Sequence, residues 1–318
     1  MSGKIDTKIL LIGTQSEIYI QALQATFSTV HQLALEQDQT EFLKQHGHEF
    51  KIAATSNNVG IRAALIDQLP ELKIIASFGV GFDSIDVAYA NKKGIVVTNT
   101  PNVLNDCVAD TAMMMTYALS RQLLQADRFV RTGQWAKAEY PLTRNTARKV
   151  CAILGMGNIG EAIAKRAEAA GMEIIYHNRS KKSHVSYRYV DSVDELAKQA
   201  DVLVLALPST GQTKHILNAD VLAQMKKTAF VVNIARGSVI DQKALIHSLQ
   251  TGQIAGAGLD VFEVEPCVDS PLLSMDNVVL TPHYASGTYE TRQAMADLVA
   301  DNIKAYLDGR EVLTPVTV

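Results

Sequence analysis

Apolar residues along this chain fall into short continuous runs separated by longer stretches in which they recur at helical spacing. Before residue 100, Lys8 to Ile12, Phe50 to Ala54, Leu72 to Ser77 and Ile95 to Thr98 read as strands. Tyr19 to Leu35, Ile61 to Leu69 and Ser84 to Lys92 read as helices between them. Such alternation predicts a parallel sheet covered on both faces. Thr100-Pro101-Asn102 breaks the pattern and marks a hinge. One long helix, Asn105 to Phe129, is expected next, with Met113-Met114-Met115 at its centre; a packing surface between domains or subunits is the preferred reading of that run.

From Lys149 a second alternating series begins. Its strands are Val150 to Leu154, Glu173 to His177, Val202 to Leu207, Phe230 to Ile234, Ala255 to Asp260 and Val278 to Thr281. Six strands suit a domain built from two mononucleotide-binding halves. An amphipathic helix, Glu290 to Leu307, follows the sixth strand and is expected to cross back to the first domain.

The first strand of this series runs directly into Gly155-Met156-Gly157-Asn158-Ile159-Gly160, and an Ala-rich helical stretch, Glu161 to Ala170, follows. A bare GxGxxG is only a glycine-rich turn, but strand before and helix after is the context that dinucleotide binding needs. Gly155 permits the tight turn, Gly157 lets a pyrophosphate approach the backbone, and Gly160 lets helix and strand pack closely. The helix N-terminus then holds the phosphates. The second strand ends in Asn178-Arg179-Ser180-Lys181, where a chain preferring NAD would place Asp or Glu. The basic tip suits a ribose 2′-phosphate, so NADPH/NADP is the expected cofactor, with NADH/NAD possible; a solvated basic surface is the plain alternative. The chain therefore reads as α/β, two doubly wound parallel-sheet domains, a Rossmann cofactor domain inserted in a flavodoxin-like substrate domain. The expected boundaries are 1–101 for the first part of the substrate domain, 102–284 for the dinucleotide-binding domain, and 285–318 for the return segment and C-terminal helix.

Bulk properties narrow the function. A length of 318 residues suits two domains. A net charge of −3 argues against a nucleic-acid or membrane-surface partner. Cys107, Cys151 and Cys267 form neither a metal-ligand pair nor a disulfide framework, which points to a reducing cytoplasm and to no metal. Met1 to Asp6 lacks a signal-peptide profile, and no apolar run is long enough to span a bilayer.

Ligands of open α/β sheets bind past the carboxyl ends of strands. Those positions here are Gly155 to Gly160, Asn178 to Ser180, Pro208 to Thr210, Ala235-Arg236-Gly237, Asp260 to Glu265, and His283. Singly, Arg236 reads as a strand-end ion pair, Glu265 as a surface carboxylate and His283 as a turn histidine. As a set they supply what carbonyl reduction needs. Hydride added to a carbonyl carbon leaves charge on oxygen, so a proton donor that works near neutrality is required, and histidine fits. A carboxylate beside it fixes the tautomer and favours the charged ring, a role open to Glu265. A guanidinium can grip a carboxylate and polarise the neighbouring carbonyl, a role open to Arg236.

The ordered motifs Val80-Gly81-Phe82-Asp83, Asn99-Thr100-Pro101, Gly155 to Gly160, Asn233 to Gly237, Gly258 to Pro266 and Thr281-Pro282-His283 resemble the D-isomer-specific 2-hydroxyacid dehydrogenases over essentially the whole length. The resemblance implies Arg236, Glu265 and His283 as the catalytic set, with His283 the acid/base. It implies substrate contacts from the backbone N–H groups of Val80 and Gly81, and from Arg236, His283 and Ser286. The cofactor contacts it implies are Thr111, the Gly155 to Gly160 loop with Asn158 and Ile159, Asn178 to Ser180, Pro208, Thr213, Ala235, Arg236, Asp260, His283 and Ala285. Asn105 to Thr111 and Ser286 to Arg292 resemble the glyoxylate/hydroxypyruvate reductase and hydroxyphenylpyruvate reductase branch. Ala285 stands where many relatives have Gly. Trp135 matches a tryptophan that in some members reaches the active site of the partner protomer, or else packs in the dimer interface.

The resemblance implies reduction of a small 2-oxo acid to the D-2-hydroxy acid. The Met113 to Met115 helix and the Trp135 loop, with more apolar surface than one cofactor domain can cover, predict a homodimer. The near-balanced charge predicts no nucleic-acid or membrane partner. A bulkier 2-oxo acid, such as hydroxyphenylpyruvate or 2-ketogluconate, is the alternative substrate. A dinucleotide-sensing corepressor-like protein of the same fold would bind cofactor but turn it over very slowly. A phosphonate or formate dehydrogenase would use Asn57 and Asn58, but the basic ribose loop favours the reductive direction.

Overall fold

A computed structural model describes residues 3–317; Met1, Ser2 and Val318 lie outside the described residues. The chain divides into two compact units, Met1–Leu104 with Ser286–Val318, and Asn105–Ala285. The divisions fall after Leu104 and Ala285.

In the first unit the chain runs β1 (Ile5–Leu11), α1 (Glu17–Thr26), β2 (Phe27–Gln32), α2 (Gln39–His46), β3 (Ile52–Ser56), α3 (Ala63–Ile66), β4 (Ile74–Phe78), α4 (Val87–Lys92) and β5 (Val96–Thr98). All strand pairs are parallel, in the order β2-β1-β3-β4-β5, which is the flavodoxin-like order. The central strands β3 and β4 are buried at every position, as a doubly covered sheet requires. Leu10, Ala53, Ile61, Ile66, Ile75, Ile85 and Val97 form one core.

The expected helix from Tyr19 to Leu35 is a correction. Helix α1 ends at Thr26, and Phe27–Gln32 is an edge strand paired with β1, Phe27 opposite Ile5. Phe27-Ser28-Thr29-Val30 favours an extended backbone, but Leu23, Phe27 and Val30 keep a helical spacing that hides the switch. Helix α2, capped by the Asp38 side chain accepting from Glu41 N–H, carried no clear apolar period.

The second unit opens with α5 (Asn105–Arg121) and α6 (Leu123–Arg131), followed by β6 (Val150–Leu154), α7 (Asn158–Ala169), β7 (Glu173–His177), β8 (Arg188–Tyr189) and α8 (Val193–Gln199). It continues with β9 (Val202–Leu205), α9 (Ala219–Gln224), β10 (Phe230–Asn233), α10 (Gln242–Gln250), β11 (Gly256–Leu259) and β12 (Val278–Leu280). Its parallel sheet has seven strands in the order β12-β11-β10-β9-β6-β7-β8. From β8 this is the doubly wound order 3-2-1-4-5-6, with β12 added at the far edge. The expected count of six is corrected to seven: β8 has two residues, too few to leave a periodic signal. The expected single helix Asn105 to Phe129 is also corrected. Gln122, at φ 50°, separates α5, buried along one face, from α6, which buries no residue.

Helix α11 (Tyr289–Leu307) belongs to the first unit, where it packs on α1 and β4. Its cap, the Thr288 hydroxyl accepting from Thr291 N–H, starts it close behind Ser286.

Candidate active site

The three glycines after β6 have three separate reasons. Gly155 has φ 106° and leaves no room for a Cβ against the Ala206 carbonyl. A Cβ on Gly160 would overlap the Gly155 carbonyl, so helix α7 can sit this close to β6 only without one. A Cβ on Gly157 would meet nothing within 4 Å, so that side of the loop is open. An open backbone at the N-terminus of α7, with Asn158 as its first residue and Ile159 half-buried behind it, is the cradle a pyrophosphate needs.

Asn178, at the end of β7, binds this loop rather than standing apart from it. Its Oδ1 accepts from Met156 N–H at 2.6 Å and its Nδ2 donates to the Met156 carbonyl at 3.3 Å. Tyr189 on β8 donates its hydroxyl to the Asn178 carbonyl at 3.0 Å. Beyond this clasp, Arg179 and Ser180 are exposed.

Hydrogen bonds also fix other residues expected beside a cofactor, Pro208 and Thr213 in the loop after β9 and Thr111 on α5. The Thr213 hydroxyl donates to the Pro208 carbonyl at 2.7 Å, and Thr210 N–H donates to it at 2.8 Å, closing the loop after β9. The Thr111 hydroxyl donates between the Cys107 and Ala285 carbonyls, at 3.1 and 3.3 Å. Ser209 and Ser238 share a hydrogen bond of 2.8 Å, joining the loops after β9 and β10.

Three loop residues form the chemical centre. After β10, buried Asn233 shapes the turn: its Oδ1 accepts from Ala235 N–H at 3.0 Å and its Nδ2 donates to the Arg236 carbonyl at 2.9 Å. The Arg236 Nη1 donates to the Ala235 carbonyl at 2.8 Å. After β11, Asp260 is 1% exposed and spends its carboxylate on the next strand's turn. Its Oδ1 accepts from the Thr281 hydroxyl at 2.7 Å and Tyr284 N–H at 2.9 Å, and its Oδ2 from Ala285 N–H at 3.0 Å. That turn holds His283 at φ 49°, its N–H donated to the Asp260 carbonyl at 2.9 Å. The His283 Nδ1 lies 2.7 Å from the Glu265 Oε2. The other Glu265 oxygen accepts from Phe262 N–H at 3.0 Å. Partial burial tends to raise the Glu265 pKa, but hydrogen bonds from His283 and Phe262 and the charges of His283 and Arg236 outweigh it and hold the carboxyl below its ordinary value. So Arg236, Glu265 and His283 come together from three separate loops.

In the first unit, Val80 and Gly81 follow β4 on a loop fixed from β5. Asn99 Nδ2 donates to the Val80 carbonyl at 2.7 Å, and Gly79 N–H donates to the Thr100 hydroxyl at 3.0 Å. Among the described residues, neither Val80 N–H nor Gly81 N–H meets an acceptor within the protein. Ser286, half-buried, begins the C-terminal part of this unit. The shaping roles of Asn233, Asn99 and Thr100 were not read from sequence, although all three lie inside the motifs that carried the family resemblance.

The description "D-isomer specific 2-hydroxyacid dehydrogenase, NAD binding domain" matches residues 113–285. The chain belongs to this family. It is 44% identical over 279 residues to glyoxylate/hydroxypyruvate reductase A of Arabidopsis thaliana, covering 88% of this chain and 89% of that one. Its identity to hydroxyphenylpyruvate reductase of Plectranthus scutellarioides is also 44%, over 278 residues, covering 87% of this chain and 89% of that one. The solved NADPH-dependent glyoxylate/hydroxypyruvate reductase of Sinorhizobium meliloti, in complex with NADP and malonate, superposes with a TM-score of 0.89 at 39% identity, covering 98% of this chain and 97% of that one. As a member of the family the chain is an oxidoreductase with an NAD-binding Rossmann domain. Among the described residues, no helix is long and apolar enough to cross a membrane.

Proposed function

We propose that this protein reduces a small 2-oxo acid of the glyoxylate/hydroxypyruvate type to the D-2-hydroxy acid with NADPH. The observation that carries this reading is the His283–Glu265 pair at 2.7 Å, fed by the same sheet edge that presents Arg236. Residues 1–101 with 285–318 serve as the substrate domain and 102–284 as the dinucleotide domain in this reading. Gly155 to Gly160, Arg179, Ser180 and the loops at Pro208 to Thr213 and Ala235 would hold NADPH, which supplies the hydride when bound. The N–H groups of Val80 and Gly81 bind the substrate carboxylate, with Ser286 adding a hydroxyl. Arg236 grips carboxylate and carbonyl, drawing charge toward oxygen. With Nδ1 engaged by Glu265, the His283 Nε2 is the atom that gives its proton to that oxygen. Asp260 and Thr111 act by shaping the turn that carries His283 and Ala285.

NADPH oxidation rates with glyoxylate, hydroxypyruvate, 2-ketogluconate and 4-hydroxyphenylpyruvate test the substrate. The likeness to hydroxyphenylpyruvate reductase supports the bulkier acid as the second reading. Highest kcat/KM on 4-hydroxyphenylpyruvate would select it, and cofactor binding without turnover on any of the four would favour a corepressor-like role.

Glu265→Gln should move the alkaline limb of the reduction profile to lower pH. The carboxylate favours the charged ring, the form that donates the proton, and Gln removes that support. A limb left at its wild-type pH would make Glu265 structural only.

Cofactor choice is tested at Arg179. The Asn178 amide both accepts from and donates to Met156, so Asp at 178 would set a carboxylate against a carbonyl and confuse loop damage with selectivity. Arg179 has no such duty. A charge-assisted contact is worth roughly 1.5–3 kcal/mol, on the order of ten- to a hundredfold in NADPH over NADH. Arg179→Asp should reverse the preference; an unchanged ratio of kcat/KM values would reduce the basic loop to surface.

A cytoplasmic homodimer completes the reading. All three cysteines are free, as a reducing compartment allows. Met114, Tyr117, Leu123, Leu124, Val130 and Trp135 are all exposed along α5, α6 and the turn after them, with Trp135 at 68%. That is more apolar surface than a monomer normally leaves in water. Light scattering at micromolar concentration should give twice the chain mass, and a monomer there contradicts the assignment.

A further inference from the structure

In the loop that carries Glu265, Val261 is buried and Phe262 packs against the core, but the residues that follow have no such anchor. Residues 263 to 266 are all exposed, and Val264 is 74% exposed. Yet the proton-donor pair needs the Glu265 carboxylate fixed to a few tenths of an ångström. The Phe262 N–H holds one Glu265 oxygen, so the aim of that carboxylate depends on where the backbone at 262 and 263 lies.

That backbone is pinned from two sides. On one side it presses on Gly237, where a Cβ would overlap the Phe262 carbonyl. On the other, Glu263 is tethered: its N–H donates to the Gln242 Oε1 at 3.2 Å, and its Oε1 lies 2.6 Å from the His215 Nε2. His215 is rigidly placed. It sits at φ 51° with its N–H donated to the Ser238 carbonyl at 2.9 Å, and the chain beyond it is stitched to the β10 loop by Leu217 N–H to the Val239 carbonyl and Asp241 N–H to the Leu217 carbonyl. Three loops are thus bolted together, and the His215–Glu263 pair is the side-chain contact that ties the loop after β9 to the loop carrying Glu265. The other charged groups on these loops are Lys214, Arg236, Asp241, Asp260 and Glu265.

We propose that His215 and Glu263 are positioning residues for the reaction: the contact between their side chains fixes the 260–266 loop so that Glu265 meets His283. The inference rests on the reading of His283 as proton donor supported by Glu265. A side-chain pair this exposed to solvent contributes little to stability, whether or not the imidazole is charged. Its effect is therefore expected in the aim of Glu265 and not in the folding of the domain.

The test is the pH–rate profile for reduction of glyoxylate at saturating NADPH, for wild type, Glu263→Ala, Glu263→Gln, His215→Ala, Glu265→Gln and the double variants Glu263→Ala/Glu265→Gln and Glu263→Ala/His215→Ala. Glu263→Ala should move the alkaline limb to lower pH by about half a unit, less than Glu265→Gln does, with kcat down about tenfold and the KM for the 2-oxo acid within about twofold. His215→Ala should do the same. Combining Glu263→Ala with His215→Ala, or with Glu265→Gln, should add little, because each pair acts through one contact. Glu263→Gln keeps an acceptor for the ring N–H and should bring the limb back toward wild type. Thermal unfolding should be nearly unchanged in all of them. A Glu263→Ala limb at the wild-type pH, or a shift that adds in full to that of Glu265→Gln, overturns the positioning role while leaving the site reading intact. A Glu265→Gln limb at the wild-type pH overturns the site reading and this inference with it.

Discussion

Replacing His283 should cut the reductive kcat by ~10²–10⁴-fold while leaving NADPH binding close to wild type, since general acid catalysis is worth about that much. The structure makes the experiment interpretable. The turn from Thr281 to Ala285 is held by the Asp260 carboxylate through the Thr281 hydroxyl and two backbone N–H groups, and none of these bonds uses the imidazole. Removing the ring therefore leaves the loop in place. The choice of replacement matters, because His283 sits at φ 49°. Alanine there carries a backbone cost of roughly 1–2 kcal/mol, whereas asparagine enters this region readily. His283→Asn should keep the turn and still lose the proton donor, so the two variants should fall together in kcat. Activity within about a factor of three of wild type for either variant would sink the assignment.

The parts of this protein that were legible in its sequence are those written in local chemistry. Strand-to-helix alternation gave both parallel sheets. GxGxxG in its strand–turn–helix context marked the dinucleotide loop, and the structure supplies a steric reason for Gly155 and for Gly160 and an open face at Gly157. The strand-end rule singled out Arg236, Glu265 and His283, which do gather, because parallel strands deliver their following loops to one edge. The pairing of His283 with Glu265 was open to a simple argument, since a proton donor needs a carboxylate and few lie past those strands.

What stayed hidden depends on tertiary context. Phe27–Gln32 becomes a strand because β1 offers it an edge, and the helical spacing of Leu23, Phe27 and Val30 masks the extended preference of its residues. The break at Gln122 has neither Gly nor Pro to announce it; it separates a helix with a buried face from one with none. Asn178 was read as a ribose contact from its place at a strand end, yet its amide clasps Met156, a bond between residues 22 apart. The His215–Glu263 pair spans 48 positions and joins two loops whose approach is decided by the fold. Residue type shows which groups are capable of chemistry, while the topology decides which of them are already engaged in holding the site together.

Arg236→Ala should lower kcat/KM on the 2-oxo acid by ~10²–10⁴-fold, the loss of about two charge-assisted contacts of roughly 1.5–3 kcal/mol each. The backbone should survive the change. Asn233 grips the Arg236 carbonyl and not its side chain, and Gly237 still lets the loop press against Phe262. A second effect should accompany the first. The Arg236 charge is one of the influences that hold the Glu265 carboxyl below its ordinary pKa. Without it, Glu265 takes up a proton at higher pH, and the acid limb of the rate profile should move upward. Arg236→Lys separates the two effects. Lysine restores the charge, so the acid limb should return toward its wild-type position. It does not restore the planar fork that meets a carboxylate and a carbonyl together, so kcat/KM should recover only in part. A lysine variant with full kcat/KM would show that bidentate geometry is unimportant here. An alanine variant with an unmoved acid limb would show that Arg236 acts on the substrate alone.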